Sequence, residues 1–156
     1  MGAEARLVEL GIQLPAVATP VAAYVPAVRT GTHVQTSGQL PVVGGEPTHL
    51  GLVGAEVSAE DAYAAARTAT LNALAAVRSL AGSLDAVARV VKVTGFVASA
   101  PGFTGQPQVV NGASELLGEI FGDLGRHARS AVGVAVLPLG VPVEVELLVE
   151  LSPEED

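Results

Sequence analysis

The sequence predicts an α+β fold in which one mixed sheet carries two helices on one face, in the order β-β-α-β-α-β-β. Three observations point to it. Val143, Val145, Leu147 and Val149 alternate with Glu144, Glu146, Leu148 and Glu150, the period-2 signature of a strand with two different faces. Two further stretches carry apolar residues at helical spacing between recognisable start and stop signals. The hydrophobic share is 49%, yet aromatics make up only 3%, so the core is built from close-packed layers of Ala, Val and Leu.

Taken in order, residues 1–20 hold an early apolar piece and an extended segment bracketed by Pro15 and Pro20, an extension ahead of the fold. Tyr24 to Val28 reads as a short strand, at an edge or bulged because Pro26 cannot donate to a ladder. Arg29 to Gly31 reads as a turn and Thr32 to Ser37 as the second strand of a hairpin. A Gly/Pro-rich loop then runs to Glu56, and irregular segments of that length are usually functional or mobile. Ser58 is placed to cap a helix whose first turn carries Glu60 and Asp61, where acidic groups meet the positive end of the helix dipole. Its apolar face is Tyr63, Ala66, Thr70, Leu74, Val77 and Ala81, and Gly82 stops it. Arg89 to Ser99 is a third strand. A second helix opens at Pro107 or its neighbour, with Val109, Ala113, Leu116, Leu117, Ile120 and Phe121 on one face and Gly122 and Gly125 at its end. Arg129–Leu137 and Pro142–Leu151 are the last two strands. Two helices cover one sheet face only, while several strands carry apolar residues on the other. A partner subunit in a closed ring is the simplest cover.

Composition narrows the function. The length of 156 residues suits one domain, taken as 1–156 with an acidic tail at 152–156. Charged residues are 15% of the chain, well below the usual quarter, which again suggests surface hidden in an oligomer. A net charge of −8 with no basic patch disfavours nucleic acid. The absence of cysteine excludes disulfides, thiolate metal sites and cysteine nucleophiles. The N-terminus does not read as a signal peptide, and no apolar stretch reads as a membrane span. The expectation is a soluble, cytoplasmic protein.

The chemistry-bearing residues are few. Arg129 opens a strand in a chain with only 8 Lys and Arg, and its planar donors match the two oxygens of a small carboxylate. Glu144 on the last strand is placed to orient or activate water. The plainer reading is an Arg–Glu pair between neighbouring strands, contributing about 0–1 kcal/mol if exposed. Thr36-Ser37-Gly38-Gln39 puts small polar groups at a strand end, where a simple turn is the common outcome. Asn111 lies near the second helix start and reads equally as a surface helix residue. Tyr24 reads as a core tyrosine with its hydroxyl at a rim. His33, His49 and His127 have no metal-ligand spacing.

Taken as an ordered set, these pieces resemble the RidA/YjgF family, often labelled endoribonuclease L-PSP. The matching residues are Tyr24-Val25, Thr36 to Pro41, Val90 to Val97, Val110-Asn111-Gly112, Ala128-Arg129-Ser130, Leu137-Pro138 and Val143 to Glu146. The resemblance covers nearly the whole chain. It implies a chorismate-mutase-like α+β fold and a homotrimer, with sheets forming an inner barrel and ligand clefts between subunits. It also implies hydrolysis of small enamine or imine intermediates, such as 2-aminoacrylate, to a 2-keto acid and ammonia, without metal or organic cofactor. Arg129 then corresponds to the arginine that grips the substrate carboxylate and Glu144 to the glutamate linked to the attacking water. Tyr24, Ser37 and Asn111 correspond to substrate-binding, pocket-lining positions. The alternative is a non-catalytic trimer that binds a small carboxylate metabolite in the same clefts. Three departures stand out: Ala22-Ala23 replaces a usual Gly-Pro, the segment Gly44–Ser58 is longer than typical, and Arg126-His127 replaces a Phe-Pro-like lead into Ala-Arg.

Overall fold

The alternating C-terminal strand lies at the centre of the sheet. In a computed structural model that describes residues 1–20 and 22–153, five strands run in the order β1-β2-β7-β5-β6. They are β1 (Ala27–Thr30), β2 (His33–Thr36), β5 (Val87–Ala98), β6 (Ala128–Val134) and β7 (Val143–Leu151). All neighbours pair antiparallel except β5 and β6, which are parallel. That parallel pair needs a crossover, and the second long helix supplies it. The sheet is therefore mixed, as the sequence predicts.

Helices α2 (Ala59–Ala81) and α3 (Gln106–Phe121) lie side by side on one face. Beneath them sit Val34, Val90, Val93, Val145, Leu147 and Val149, all buried. Alanine lets the helices approach. Ala62, Ala65, Ala66 and Ala69 of α2 are fully buried, and Gly112 of α3 sits so close that an added Cβ would lie 2.2 Å from the Tyr63 carbonyl oxygen. Arg67 of α2 also holds Glu119 of α3 at 2.8 Å, and the Tyr63 hydroxyl donates to the Glu115 carboxylate.

The predicted cap on α2 is present: Ser58 Oγ accepts from the Asp61 N–H at 3.1 Å. Ser58→Ala leaves that N–H without its side-chain partner and is expected to cost about 1 kcal/mol. In thermal melts this reads as a fall of about 2–4 °C, with Ser58→Asp close to wild type. An unchanged melting temperature in Ser58→Ala would show that the cap contributes nothing.

Several boundaries differ from the expectation. Residues ahead of the sheet are not merely an extended piece. Ala3–Glu9 form helix α1, which buries Ala3 and Leu7 and packs on α3. Glu4 anchors it, accepting from the Leu84 N–H at 2.9 Å and from Arg78 at 3.3 Å. The first strand begins at Ala27 rather than Tyr24, because Pro26 precedes it, and it runs through Arg29 and Thr30, so the turn falls at Gly31. The long loop is structured as well. Val42–Val43 (β3) and Glu46–Pro47 (β4) form a small hairpin around Gly44-Gly45, both at positive φ. Asn72 of α2 donates to the Leu40 and Val42 carbonyls at 2.9 and 3.0 Å, and Val53 is fully buried. Strand β6 ends at Val134, three residues short of the expected Leu137. Of the acidic tail, Ser152 and Pro153 are exposed and the remaining residues lie outside those described.

Candidate active site

Arg129 lies near the start of edge strand β6, in register with Val93 of β5. Val93 faces the helices, so Arg129 does too, and its side chain meets α3. Nη1 donates to Asn111 Oδ1 at 2.8 Å and to Ser114 Oγ at 3.2 Å. The spacing of three residues puts Asn111 and Ser114 on one face of α3. His127 joins the cluster, with Nε2 2.8 Å from Ser114 Oγ and Nδ1 2.6 Å from the Gly125 carbonyl. Among the described residues, no protein group engages the Arg129 Nε and Nη2 donors. Those two atoms form the side-on fork that fits a carboxylate bidentately.

Glu144 lies on the other sheet face, in register with Phe96. It packs against the turn leaving β2, where a Cβ on Gly38 would fall 2.0 Å from Glu144 Oε1. Glycine at that position makes room for the carboxylate. Ser37 is engaged in holding the preceding segment: its hydroxyl donates to the Val25 carbonyl at 2.6 Å and its N–H to Pro26 at 2.8 Å. Tyr24 is on that segment and is 55% exposed, at the surface rather than in the core. Thr36 and Gln39 are structural. Thr36 Oγ1 accepts from the Leu147 N–H at 3.0 Å, and Gln39 exchanges backbone hydrogen bonds with Val145.

Burial pushes the Glu144 carboxyl above its ordinary pKa, and the Glu146 charge on the same face adds to this. A folded-state value above the unfolded one means that stability is greatest when the group is protonated and is lost as pH rises through the folded pKa. Glu144→Gln removes that loss. It is expected to melt higher than wild type at pH 7.5, with the gap closing near pH 4. A lower melting temperature at pH 7.5 would show that the charge is stabilised by its surroundings.

The structure brings Arg129 and Asn111 together, and sets Glu144 beside Gly38 and the Ser37 turn. It does not bring Arg129 to Glu144. The plain pairing of neighbouring strands fails because β5 lies between β6 and β7. Arg129 is level with Val93 and hence Leu147, while Glu144 lies three residues further along β7 on the opposite face. Two interstrand steps and three residues of rise separate their Cα atoms by about 14 Å. Ser114 is a site residue that the sequence did not single out, because a serine inside a helix carries no distinctive pattern. Among the described residues no group of His, Asp and Glu could hold a metal ion.

A family profile for YjgF/chorismate mutase-like proteins matches residues 4–151. The chain belongs to that family. Protein TCP17 of Trypanosoma cruzi is 49% identical over 151 residues, covering 95% of this chain and 93% of that protein. The crystal structure of Atu1372 from Agrobacterium tumefaciens, a protein of unknown function, superposes with a TM-score of 0.89 at 44% identity, over 96% of this chain and 92% of that one. A Shewanella oneidensis protein with a provisional endoribonuclease label gives 0.93 at 36% identity, over 97% and 100%. Escherichia coli TdcF, crystallised with bound serine, gives 0.65 at 26% identity, over 88% and 99%. This YjgF-family chain thus shares its architecture more fully with the Agrobacterium and Shewanella proteins than with TdcF. No helix among the described residues is long and apolar enough to cross a membrane.

Proposed function

We propose that this YjgF-family protein hydrolyses small imines that carry a carboxylate, giving a 2-keto acid and ammonia, in clefts formed between copies of the chain. The observation that carries this reading is the state of Arg129. Its Nη1 is fixed by Asn111 and Ser114, and its Nε–Nη2 edge is open. A guanidinium held by neutral partners with one fork free is arranged to receive a carboxylate. TdcF, a relative found with serine, offers a ligand of that size and charge.

Glu144 supplies the second group. Its carboxyl favours the proton more than an exposed glutamate does, so it takes a proton from attacking water more readily. The water oxygen bonds to the imine carbon and the imine nitrogen gains a proton, giving a carbinolamine. Its C–N bond then breaks, the nitrogen leaves as ammonia after taking a further proton, and the hydroxyl proton is lost as the carbonyl forms. An imine carbon is already electrophilic, so positioning and electrostatics suffice for acceleration.

Because Arg129 and Glu144 lie on opposite faces within one chain, a cleft containing both draws them from two copies. The helix-free face supports such packing: it carries Val28 and Val132, 54% and 44% exposed, together with Phe96 and Leu148. A homotrimer closes three such faces on one another. The second reading, a trimer that binds a small carboxylate without turning it over, is favoured by the serine held in TdcF. The test is to generate imines in place from several amino acids with an amino-acid oxidase, and to follow the loss of semicarbazide-trappable imine. Acceleration by the protein is the expected result. Binding of 2-keto acids without acceleration would select the second reading, and neither effect would overturn both.

A further inference from the structure

We infer that Ser114 and His127 are positioning residues for Arg129, and that this chain aims its guanidinium through a hydroxyl–imidazole relay anchored on the Gly125 carbonyl. The inference rests on the carboxylate-binding role proposed for Arg129.

The direction of the relay follows from which atoms can donate. A carbonyl only accepts, so His127 Nδ1, 2.6 Å from the Gly125 oxygen, carries a proton. A guanidinium only donates, so Ser114 Oγ accepts from Arg129 Nη1 at 3.2 Å. The Ser114 proton then turns to His127 Nε2 at 2.8 Å, which in the neutral ring is an acceptor. Every bond runs the same way: Arg129 to Ser114 to His127 to Gly125.

The anchor is closely packed. Gly125 is buried, and an added Cβ would lie 2.4 Å from the Leu117 carbonyl oxygen of α3. The turn therefore presses directly on the helix that also carries Ser114 and Asn111. Nη1 donates to both Asn111 and Ser114, which restrains the rotation of the guanidinium plane and leaves Nε and Nη2 without a protein partner among the described residues. Without the hydroxyl, Nη1 retains one tether and the plane can pivot about it. Ordering the plane again on each binding event then weakens the grip on a carboxylate.

The test uses the full-length protein and 2-oxobutanoate as the probe. Calorimetry is expected to show affinity for 2-oxobutanoate falling about tenfold in Ser114→Ala, with the melting temperature close to wild type. Ser114→Thr, which keeps the hydroxyl, is expected to bind within about threefold of wild type. Nitrogen-15 NMR of the imidazole is expected to report the Nδ1–H tautomer for His127 in wild type, and a changed Nε2 shift in Ser114→Ala. Ser114→Ala binding 2-oxobutanoate as tightly as wild type would overturn the inference, as would an Nε2–H tautomer in the neutral ring. If wild type binds no 2-oxobutanoate at all, the carboxylate-binding role of Arg129 is what fails. The relay still stands or falls on the His127 tautomer and its response to Ser114→Ala.

Discussion

Arg129→Ala is expected to lower kcat/KM for carboxylate-bearing imines by about 10²-fold. Charge-assisted hydrogen bonds contribute about 1.5–3 kcal/mol, and each 1.4 kcal/mol is tenfold. The substitution removes the fork and also leaves Asn111 and Ser114 without the donor they share. Arg129→Lys restores little, because an ammonium is a point charge that cannot present two parallel donors. Initial rates measured across a substrate range would separate the two contributions. Loss of ground-state grip raises KM, while loss of an interaction made only in the transition state lowers kcat. Activity within threefold of wild type in Arg129→Ala would remove this residue from the mechanism.

Gly112→Ala is expected to have the largest effect on stability. Its Cβ would sit 2.2 Å from the Tyr63 oxygen and 3.3 Å from the Ala66 Cβ, and backbone cannot swing aside as a side chain can. Forcing α3 off α2 costs about 2–3 kcal/mol, read as a fall of about 6–10 °C in melting temperature. Gly118 of the same helix is the control. A Cβ there meets nothing within 4 Å, so Gly118→Ala is expected to stabilise by up to about 1 kcal/mol through helix propensity alone. Equal effects of the two substitutions would mean that the α2–α3 approach is looser than described. Asn111 and Ser114 flank Gly112, so Gly112→Ala is expected to weaken carboxylate binding as well.

The sheet and both long helices were legible because their residues repeat the period of their element. Val143 to Val149 announces a strand by alternation, and Ser58 with Gly82 marks the ends of α2. Helix α1 was not legible: seven residues give too few turns for a periodic signal, and what holds it is tertiary, through Glu4, Arg78 and Leu84. The β3–β4 hairpin was obscured by its short strands, though Gly44-Gly45 carried the turn signal. At the site, residue types pointed to Arg129 and Glu144, but not to their separation. Pairing β6 with β5 rather than β7 is a matter of strand order, which alternation within a strand does not encode. Ser114 was silent for a similar reason. A serine inside a helix has no distinctive pattern, and its role depends on His127 arriving from a turn thirteen residues later.

The proposed cleft takes Arg129 from one copy and Glu144 from another. Mixing subunits tests it most directly: co-express Arg129→Ala with Glu144→Gln, purify the mixed oligomer, and measure imine loss beside each variant alone. A shared cleft predicts two nearly inactive single variants and a mixture that recovers about a quarter of the wild-type rate, since random assembly pairs the two intact residues in roughly one cleft in four. A mixture no more active than the single variants, alongside an active wild type, would contradict a cleft shared between copies.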